Sequence, residues 1–155
     1  MPEWQGVSLP RTPPAGRYLA FDFGTRRIGV AVGTRELGTA SPEGLIHSRD
    51  GVPDWSAIHA LMDTWQPAAL VVGLPLRLHD GSEQLTTQQA RKFGQRLSGR
   101  TGRPVYFVPE QLTSKQAEAR LQAAGDRRTP LDAVAAQIIL ETFFSLLDHT
   151  DETQP

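Results

Sequence analysis

The stretch YLAFDFGTRRIGVAV, at residues 18–32, decides the fold. It contains two apolar runs, at residues 18–23 and 28–32, and Gly24-Thr25 ends the first of them. Short apolar runs bounded by turn residues are typical of buried strands. Because only a few residues separate the two runs, they predict an antiparallel hairpin rather than parallel strands joined by a crossover.

The elements that follow this hairpin alternate between strands and helices. Further strands are predicted near residues 45–47, 68–72 and 105–108, and helices from about residues 54, 82, 113 and 130. Gly73-Leu74-Pro75 is expected to end the second of these strands as a turn, and Asp80-Gly81 to precede the second helix. The order β-β-β-α-β-α-β-α-α indicates an α/β domain, with a mixed five-stranded sheet covered by helices on both faces.

In the predicted second helix, from about Ser82 to Ser98, one stripe contains Leu85, Gln89, Phe93 and Leu97. A stripe at this spacing predicts the face that packs on the sheet.

The composition is that of one globular domain. The chain has 155 residues, of which 39% are hydrophobic and 21% charged. Four prolines within residues 1–16 predict a flexible arm, residues 17–149 are expected to form the domain, and residues 150–155 an acidic tail. The chain has no cysteine, which excludes disulfides and thiolate metal sites. Without a long apolar stretch or a signal-peptide pattern, we expect a cytoplasmic protein with no membrane partner.

The net charge of −1 does not by itself indicate a nucleic-acid partner. Basic residues are nevertheless clustered, and the candidate phosphate contacts are Arg26, Arg27, Arg91, Lys92 and Arg96. The last three have a spacing that allows one helix face to meet a phosphate strand. A solvated helix surface has the same pattern, so the charges alone leave both interpretations open.

Asp22 lies inside the first predicted strand, where an aspartate is disfavoured. Alternation places its side chain on one face of the strand and those of Phe21 and Phe23 on the other. Such a carboxylate is either a metal ligand or catalytic group, or a buried group bonded to a backbone amide or to the Arg26/Arg27 pair. The residue alone does not separate these two interpretations.

Two further carboxylates stand at the ends of predicted elements. Glu110 follows the strand at residues 105–108, and open α/β sheets place their sites at the carboxyl ends of strands. A solvated loop glutamate would have the same position. Asp132 fits the third position of a helix that starts with Thr129-Pro130, where an acid interacts favourably with the helix dipole. It also precedes a buried stripe, which would place it at the inner edge of the helix start.

Together, the three carboxylates suggest a specific chemistry. Oxygen ligands without cysteine or a histidine cluster suit Mg²⁺ or Mn²⁺ rather than Zn²⁺. Two such ions about 4 Å apart can activate a water and stabilise the leaving oxygen in phosphodiester hydrolysis. Asp22, Glu110 and Asp132 are therefore the predicted catalytic and metal-binding residues.

Four motifs carry a resemblance to a known family. They are FDFGTRRIGVAV at residues 21–32, VGLPL at 72–76 with DGSE at 80–83, EQLTS at 110–114 with Ala117-Glu118, and LDAVAAQIIL at 131–140. In this order, over about residues 17–147, they resemble the YqgF-type proteins. Members of that family are described as pre-16S rRNA nucleases or as Holliday-junction-resolvase-like proteins with an RNase H-like fold.

The resemblance implies catalytic carboxylates at Asp22, Glu110 and Asp132, a Mg²⁺ or Mn²⁺ cofactor and a nucleic-acid substrate. The third motif departs from the family pattern, which usually has Asp-Glu-Arg where this chain has Pro109-Glu110-Gln111. An arginine clamps phosphate in a way that glutamine does not. The departure therefore bears on substrate affinity or rate more than on the metal site.

The leading functional hypothesis is a metal-dependent nuclease that processes the 5′ end of pre-16S rRNA, with ribosomal particles as a further partner. The first alternative is a resolvase of branched, four-way DNA junctions, which would act as a homodimer rather than a monomer. The second alternative is a catalytically silent RNA-binding factor for ribosome assembly, which the altered third motif favours.

Overall fold

The computed structural model describes residues 3–4, 7–8, 13–76, 84–110 and 113–152. The elements follow the predicted order, with additional short strands. In chain order they are β1 Glu3–Trp4, β2 Val7–Ser8, β3 Arg17–Asp22, β4 Arg27–Thr34, β5 Thr39–Arg49, β6 Val52–Pro53, α1 Trp55–Trp65, β7 Ala69–Pro75, α2 Leu85–Thr101, β8 Val105–Glu110, α3 Thr113–Ala124 and α4 Leu131–Glu152.

Six strands form one mixed sheet in the order β6-β5-β4-β3-β7-β8. β3 and β4 form the predicted antiparallel hairpin, while β3 pairs with β7 in parallel. The mixed sheet is confirmed, but the predicted count of five strands is wrong. Val52–Pro53 adds a sixth strand at the edge, and two residues show no periodicity that a sequence could reveal. β5 extends well beyond the predicted residues 45–47. The sequence predicts too short a strand here because the largely exposed residues of β5 form only a weak apolar run.

β7 is longer than predicted, because Gly73-Leu74-Pro75 continues the strand instead of turning. Pairing with β8 keeps these residues extended. α2 begins at Leu85, and that residue is 68% exposed, so its predicted place on the buried stripe is wrong. The buried residues of α2 are Thr87, Ala90, Phe93, Gly94 and Leu97. The predicted start at Ser82 and the turn at Asp80-Gly81 lie outside the described residues.

Helices cover both faces of the sheet, as predicted. On one face, α1 and α2 pack on a core that includes Phe21 and Leu70. On the other face, α4 packs Phe143 and Phe144 against Tyr18 of β3, and α3 packs against α4. Among the described helices, none combines the length and apolar character needed to cross a membrane.

The predicted arm and tail contain regular structure where they are described. β1 and β2 pair with each other, and β2 lies beside β8. The hydroxyl of Tyr18 donates a hydrogen bond to the carbonyl oxygen of Pro14 at 2.8 Å. At the other end, α4 continues to Glu152, so the segment assigned to an acidic tail begins inside a helix. The flexibility of residues 1–16 stays a prediction.

Phe143 provides a test of the core beneath α4. Its side chain is fully buried, and its ring centroid lies 5.7 Å from that of Tyr18 and 5.6 Å from that of Tyr106. We expect Phe143→Ala to lower the free energy of unfolding by about 3–5 kcal/mol, because it removes a large apolar side chain and leaves a cavity. Urea denaturation measures the loss. The control is Leu37→Ala, at a side chain that is 72% exposed, and equal losses in both variants would contradict the assigned core.

Candidate active site

Asp22 is the last residue of β3 and stands near the middle of one edge of the sheet, because β3 lies between β4 and β7. Tyr18 and Ala20 of the same strand belong to the core beneath α4. Alternation therefore directs the Asp22 side chain to the α4 face. Phe21 and Phe23 lie on the opposite face, as the sequence predicted.

Two glycines flank Asp22 on the neighbouring strands. Gly29 of β4 is its direct antiparallel partner. On the other side, Val72 of β7 pairs with Phe21, so the next residue, Gly73, lies beside Asp22. Paired residues in adjacent strands point to the same face of a sheet. Both glycines therefore leave space next to the Asp22 carboxylate.

The elements that carry the other two carboxylates fill this space. A Cβ atom at Gly29 would lie 1.9 Å from the backbone oxygen of Asp132, at the start of α4. A Cβ atom at Gly73 would lie 2.7 Å from Oε2 of Glu110, at the end of β8. Only glycine permits either approach without displacement of the neighbour. The sheet thus brings Glu110 and the start of α4 close to Asp22 from two sides.

The charges of the three carboxylates interact. Part of Asp22 remains exposed, but protein atoms surround most of it. Burial, and then the negative charges of Glu110 and Asp132, raise the pKa of the Asp22 carboxyl well above its usual range. The physical cause is that the ionised form loses hydration and is repelled by like charges. A cation at this place would relieve the repulsion between the carboxylates.

Asp132 lies in the first turn of α4, as predicted. Its Oδ2 accepts a hydrogen bond from Nε of Arg27 at 2.6 Å. The alternative derived from the sequence paired Arg26 or Arg27 with Asp22, whereas the structure pairs Arg27 with Asp132. The Arg27 side chain is 64% exposed, so this ion pair is screened by solvent and contributes on the order of 1 kcal/mol or less.

Within the described part of the chain, no group of three or more His, Asp or Glu side chains is arranged to hold a metal ion. The contact of Asp132 with Arg27 gives one physical reason, because it turns that carboxylate toward a guanidinium. The three carboxylates have suitable donor chemistry, but Arg27 would compete with a cation for Oδ2 of Asp132.

The five basic residues predicted to contact nucleic acid lie in two places. Arg26 and Arg27 are exposed at the junction between β3 and β4, a few residues after Asp22. On α2, Lys92 and Arg96 are exposed and Arg91 is partly buried. Lys92 and Arg96 share a cavity with Phe23, the residue that follows Asp22. Both groups thus border the same end of β3.

Neither Gly29 nor Gly73 is predicted from the sequence to belong to the site, and Gly73 is predicted to lie in a turn. The available signal was a glycine inside a strand pattern, which often marks the close approach of another chain segment. Gln111, which replaces the arginine of the family motif, lies outside the described residues.

Comparisons with known proteins agree with the motifs. The profile of the RuvX family, described as Holliday junction resolvase, matches residues 16–146. A protein of Hydrogenovibrio crunogenus is 53% identical over 135 residues, which cover 87% of this chain and 98% of the relative. One of Escherichia coli O157:H7 is 46% identical over 134 residues, which cover 84% and 96%. Both relatives carry the name "Putative pre-16S rRNA nuclease".

Two solved structures resemble this fold. RuvC of T. thermophilus in complex with a Holliday junction substrate gives a TM-score of 0.53 at 18% identity, covering 84% of this chain and 96% of that chain. Fowlpox virus resolvase with Holliday junction DNA gives 0.51 at 11% identity, covering 84% and 98%. These likenesses confirm the expected RNase H-like architecture. The family profile and the relatives go further: the chain belongs to the RuvX family, the YqgF-type family that its motifs resemble.

Proposed function

We propose that this chain is a metal-dependent nuclease that hydrolyses nucleic-acid phosphodiesters with Asp22, Glu110 and Asp132. One observation carries the proposal: Asp22 stands between Gly29 and Gly73, and the elements that carry the other two carboxylates pack over those glycines. The names of the relatives, which include the word nuclease, support it.

The donor set fits Mg²⁺ or Mn²⁺, because both ions prefer carboxylate oxygens. Burial, and then repulsion by Glu110 and Asp132, raise the pKa of Asp22, and a divalent cation would relieve the repulsion. When bound, such an ion lowers the pKa of a water and stabilises charge on the leaving oxygen of the phosphodiester. Asp22 and Glu110 would hold it from strand ends, and Asp132 from the start of α4.

Arg27 has two roles in this proposal. Without substrate, its guanidinium neutralises the carboxylate of Asp132. Once Asp132 turns toward a cation, the exposed guanidinium becomes available to a phosphate oxygen, and its planar donors are suited to that partner. Arg26 beside it, and Lys92 and Arg96 on α2, would extend the phosphate contacts along the substrate strand.

The proposed substrate is precursor 16S rRNA, the RNA that the names of the relatives specify. The activity would then lie in the cytoplasm, on free precursor or on ribosomal particles that contain it. A second candidate is the four-way DNA junction, which the family description and the two resolvase complexes favour. A third is a catalytically silent RNA-binding assembly factor, favoured by Pro109 and Gln111 around Glu110.

A single assay separates the three candidates. The purified chain is incubated with precursor 16S rRNA and with four-way junction DNA, each in Mg²⁺, Mn²⁺ or chelator. We expect metal-dependent cleavage of the precursor RNA. Symmetric cleavage of the junction alone would instead support the resolvase, and binding without any cleavage would support the silent factor.

Asp22→Asn tests the role of the central carboxylate. We expect it to abolish cleavage and the rise in melting temperature that Mn²⁺ causes in the wild type, because metal bound to the folded state stabilises it by mass action. The metal-free variant should be more stable than the wild type, since it no longer places a carboxylate among like charges. Thermal unfolding with and without Mn²⁺ measures both effects. Asp63→Asn, at an exposed residue of α1, is the control, and a retained Mn²⁺ response in Asp22→Asn would exclude this site.

Gly73→Ala tests the space beside Asp22. The new methyl group would meet Oε2 of Glu110 at 2.7 Å and Cδ1 of Ile139 at 2.5 Å. Both are side-chain rather than backbone atoms, so we expect the fold to persist while the buried Ile139 shifts and Glu110 is displaced. A misplaced catalytic group costs on the order of 100-fold in rate, which a single-turnover cleavage assay would detect. Gly99→Ala, where a methyl group meets nothing within 4 Å, should keep full activity, and equal activity of the two variants would argue against the arrangement.

Arg27→Gln tests the competition for Asp132. Removing the guanidinium frees the carboxylate, so we expect tighter Mn²⁺ binding by up to about fivefold, the limit set by a solvent-exposed ion pair. The affinity for nucleic acid should fall at the same time, because a phosphate contact is lost. Calorimetric titration with Mn²⁺ and a nucleic-acid binding assay measure the two changes. Arg26→Gln should lower only the second, and weaker Mn²⁺ binding by Arg27→Gln would show that Arg27 supports the metal site.

A further inference from the structure

A cavity of about 260 Å³ lies between α2 and the turn that joins β5 to β6. It lies on the face of the sheet opposite to the Asp22 carboxylate. Its lining comprises residues 50–53 of the turn and β6, the rings of Phe23 and Phe93, and Gln89, Lys92 and Arg96 of α2.

The cavity borders the end of the catalytic strand. Phe23 follows Asp22 directly and lines the cavity on the other face of the chain. The turn that forms the opposite wall is fixed to the loop after Asp22, because the backbone N–H of Gly51 donates to the carbonyl oxygen of Thr25 at 3.0 Å. A nucleic-acid strand that crosses the sheet edge at Asp22 could therefore reach the cavity with an adjacent nucleotide.

The wall of the cavity contains a fixed aromatic surface. The ring centroids of Phe23 and Phe93 are 5.0 Å apart, and Phe93 also packs against Trp55 at 6.1 Å. Phe93 is buried, whereas Phe23 is only partly buried and is available for contact. Every nucleobase has a flat face that stacks on such rings, which makes aromatic side chains general platforms for single strands.

The rim supplies the polar partners of a nucleotide. Lys92 and Arg96 are exposed, one helical turn apart on α2, and both suit a phosphate group. Gln89 and Asp50 can hydrogen-bond the edge of a base. Small-molecule pockets usually have volumes of about 300–1,000 Å³, so a cavity just below this range fits one base rather than a larger ligand.

We propose that this cavity binds one unpaired base of the substrate strand, next to the scissile phosphate, with Lys92 and Arg96 on the adjoining phosphate. This inference rests on the proposed nuclease function. A base held in a stacked duplex cannot enter the cavity without leaving its stack. The cavity thus selects single-stranded or distorted nucleic acid at the cleavage point.

The test is an abasic scan of a short, fluorescein-labelled single-stranded RNA, with binding followed by anisotropy. The full chain is used in Ca²⁺ buffer, and a gel checks that the strand remains intact. We expect one position at which loss of the base weakens binding on the order of 10-fold, the size of one base–aromatic stacking contact. A blunt duplex of the same sequence should show no such position.

Variants then assign that position to the cavity. Phe23→Leu keeps most of the apolar volume but removes the ring, so it should weaken binding of the intact strand. In this variant, loss of the base at the sensitive position should cause no further weakening. Val52→Glu, at a side chain that is 57% exposed on the cavity wall, should do the same without touching the core. Arg96→Gln should weaken all strands equally, whereas Arg100→Gln on the same helix, outside the cavity and over the Trp55 ring, should stay within about twofold of wild type.

The outcomes separate this inference from the proposed function. Two results would show that the cavity binds no base while the nuclease proposal stands. In one, the chain cleaves its substrate in Mg²⁺ but no abasic position weakens binding more than the others. In the other, Phe23→Leu and Val52→Glu both lose affinity at the sensitive abasic position as the wild type does. If the chain binds no nucleic acid at low salt, both the cavity assignment and the nuclease proposal are overturned.

Discussion

The repulsion between Asp22 and its two neighbouring carboxylates is the constraint on which the rest of the site depends. The fold places an acid at the end of its central strand, surrounds most of it with protein, and brings Glu110 and Asp132 close enough to raise its pKa. Burial of a carboxylate among like charges opposes folding. Packing in the core must therefore offset this unfavourable free energy. A cation bound at the site would reduce the repulsion between the carboxylates.

The compensation comes from packing on both faces of β3. Aromatic side chains of α4 pack against Tyr18 on one face, and Phe21 packs against Phe93 of α2 on the other. These contacts fix the position and direction of the strand that ends in Asp22. Close packing of this kind holds a charged group in place even when its own environment is unfavourable.

The two glycines connect this packing with the chemistry of the site. Gly29 allows the backbone of α4 to approach β4, and Gly73 allows the carboxylate of Glu110 to lie over β7. Each approach also brings one other acid toward Asp22. The contact of Arg27 with Asp132 can be broken easily, because the exposed guanidinium holds the carboxylate only through a weak ion pair.

The cavity beside Phe23 lies at the same end of β3, on the opposite face of the sheet. One edge of the sheet therefore has carboxylates on one face and an aromatic, basic pocket on the other.

The sequence by itself determined the hairpin, the element order, the two faces of β3 and the family, because strand and helix periodicity and short motifs are local properties of the chain. It also singled out Asp22, Glu110 and Asp132. Only the tertiary structure decided that Gly29 and Gly73 flank Asp22, since strand register depends on how distant segments pair. It likewise decided that Arg27 pairs with Asp132, that β7 continues past Gly73, and that a turn and a helix far apart in the chain enclose a cavity. Contacts of this kind arise from packing between remote elements, which no local pattern of residues encodes.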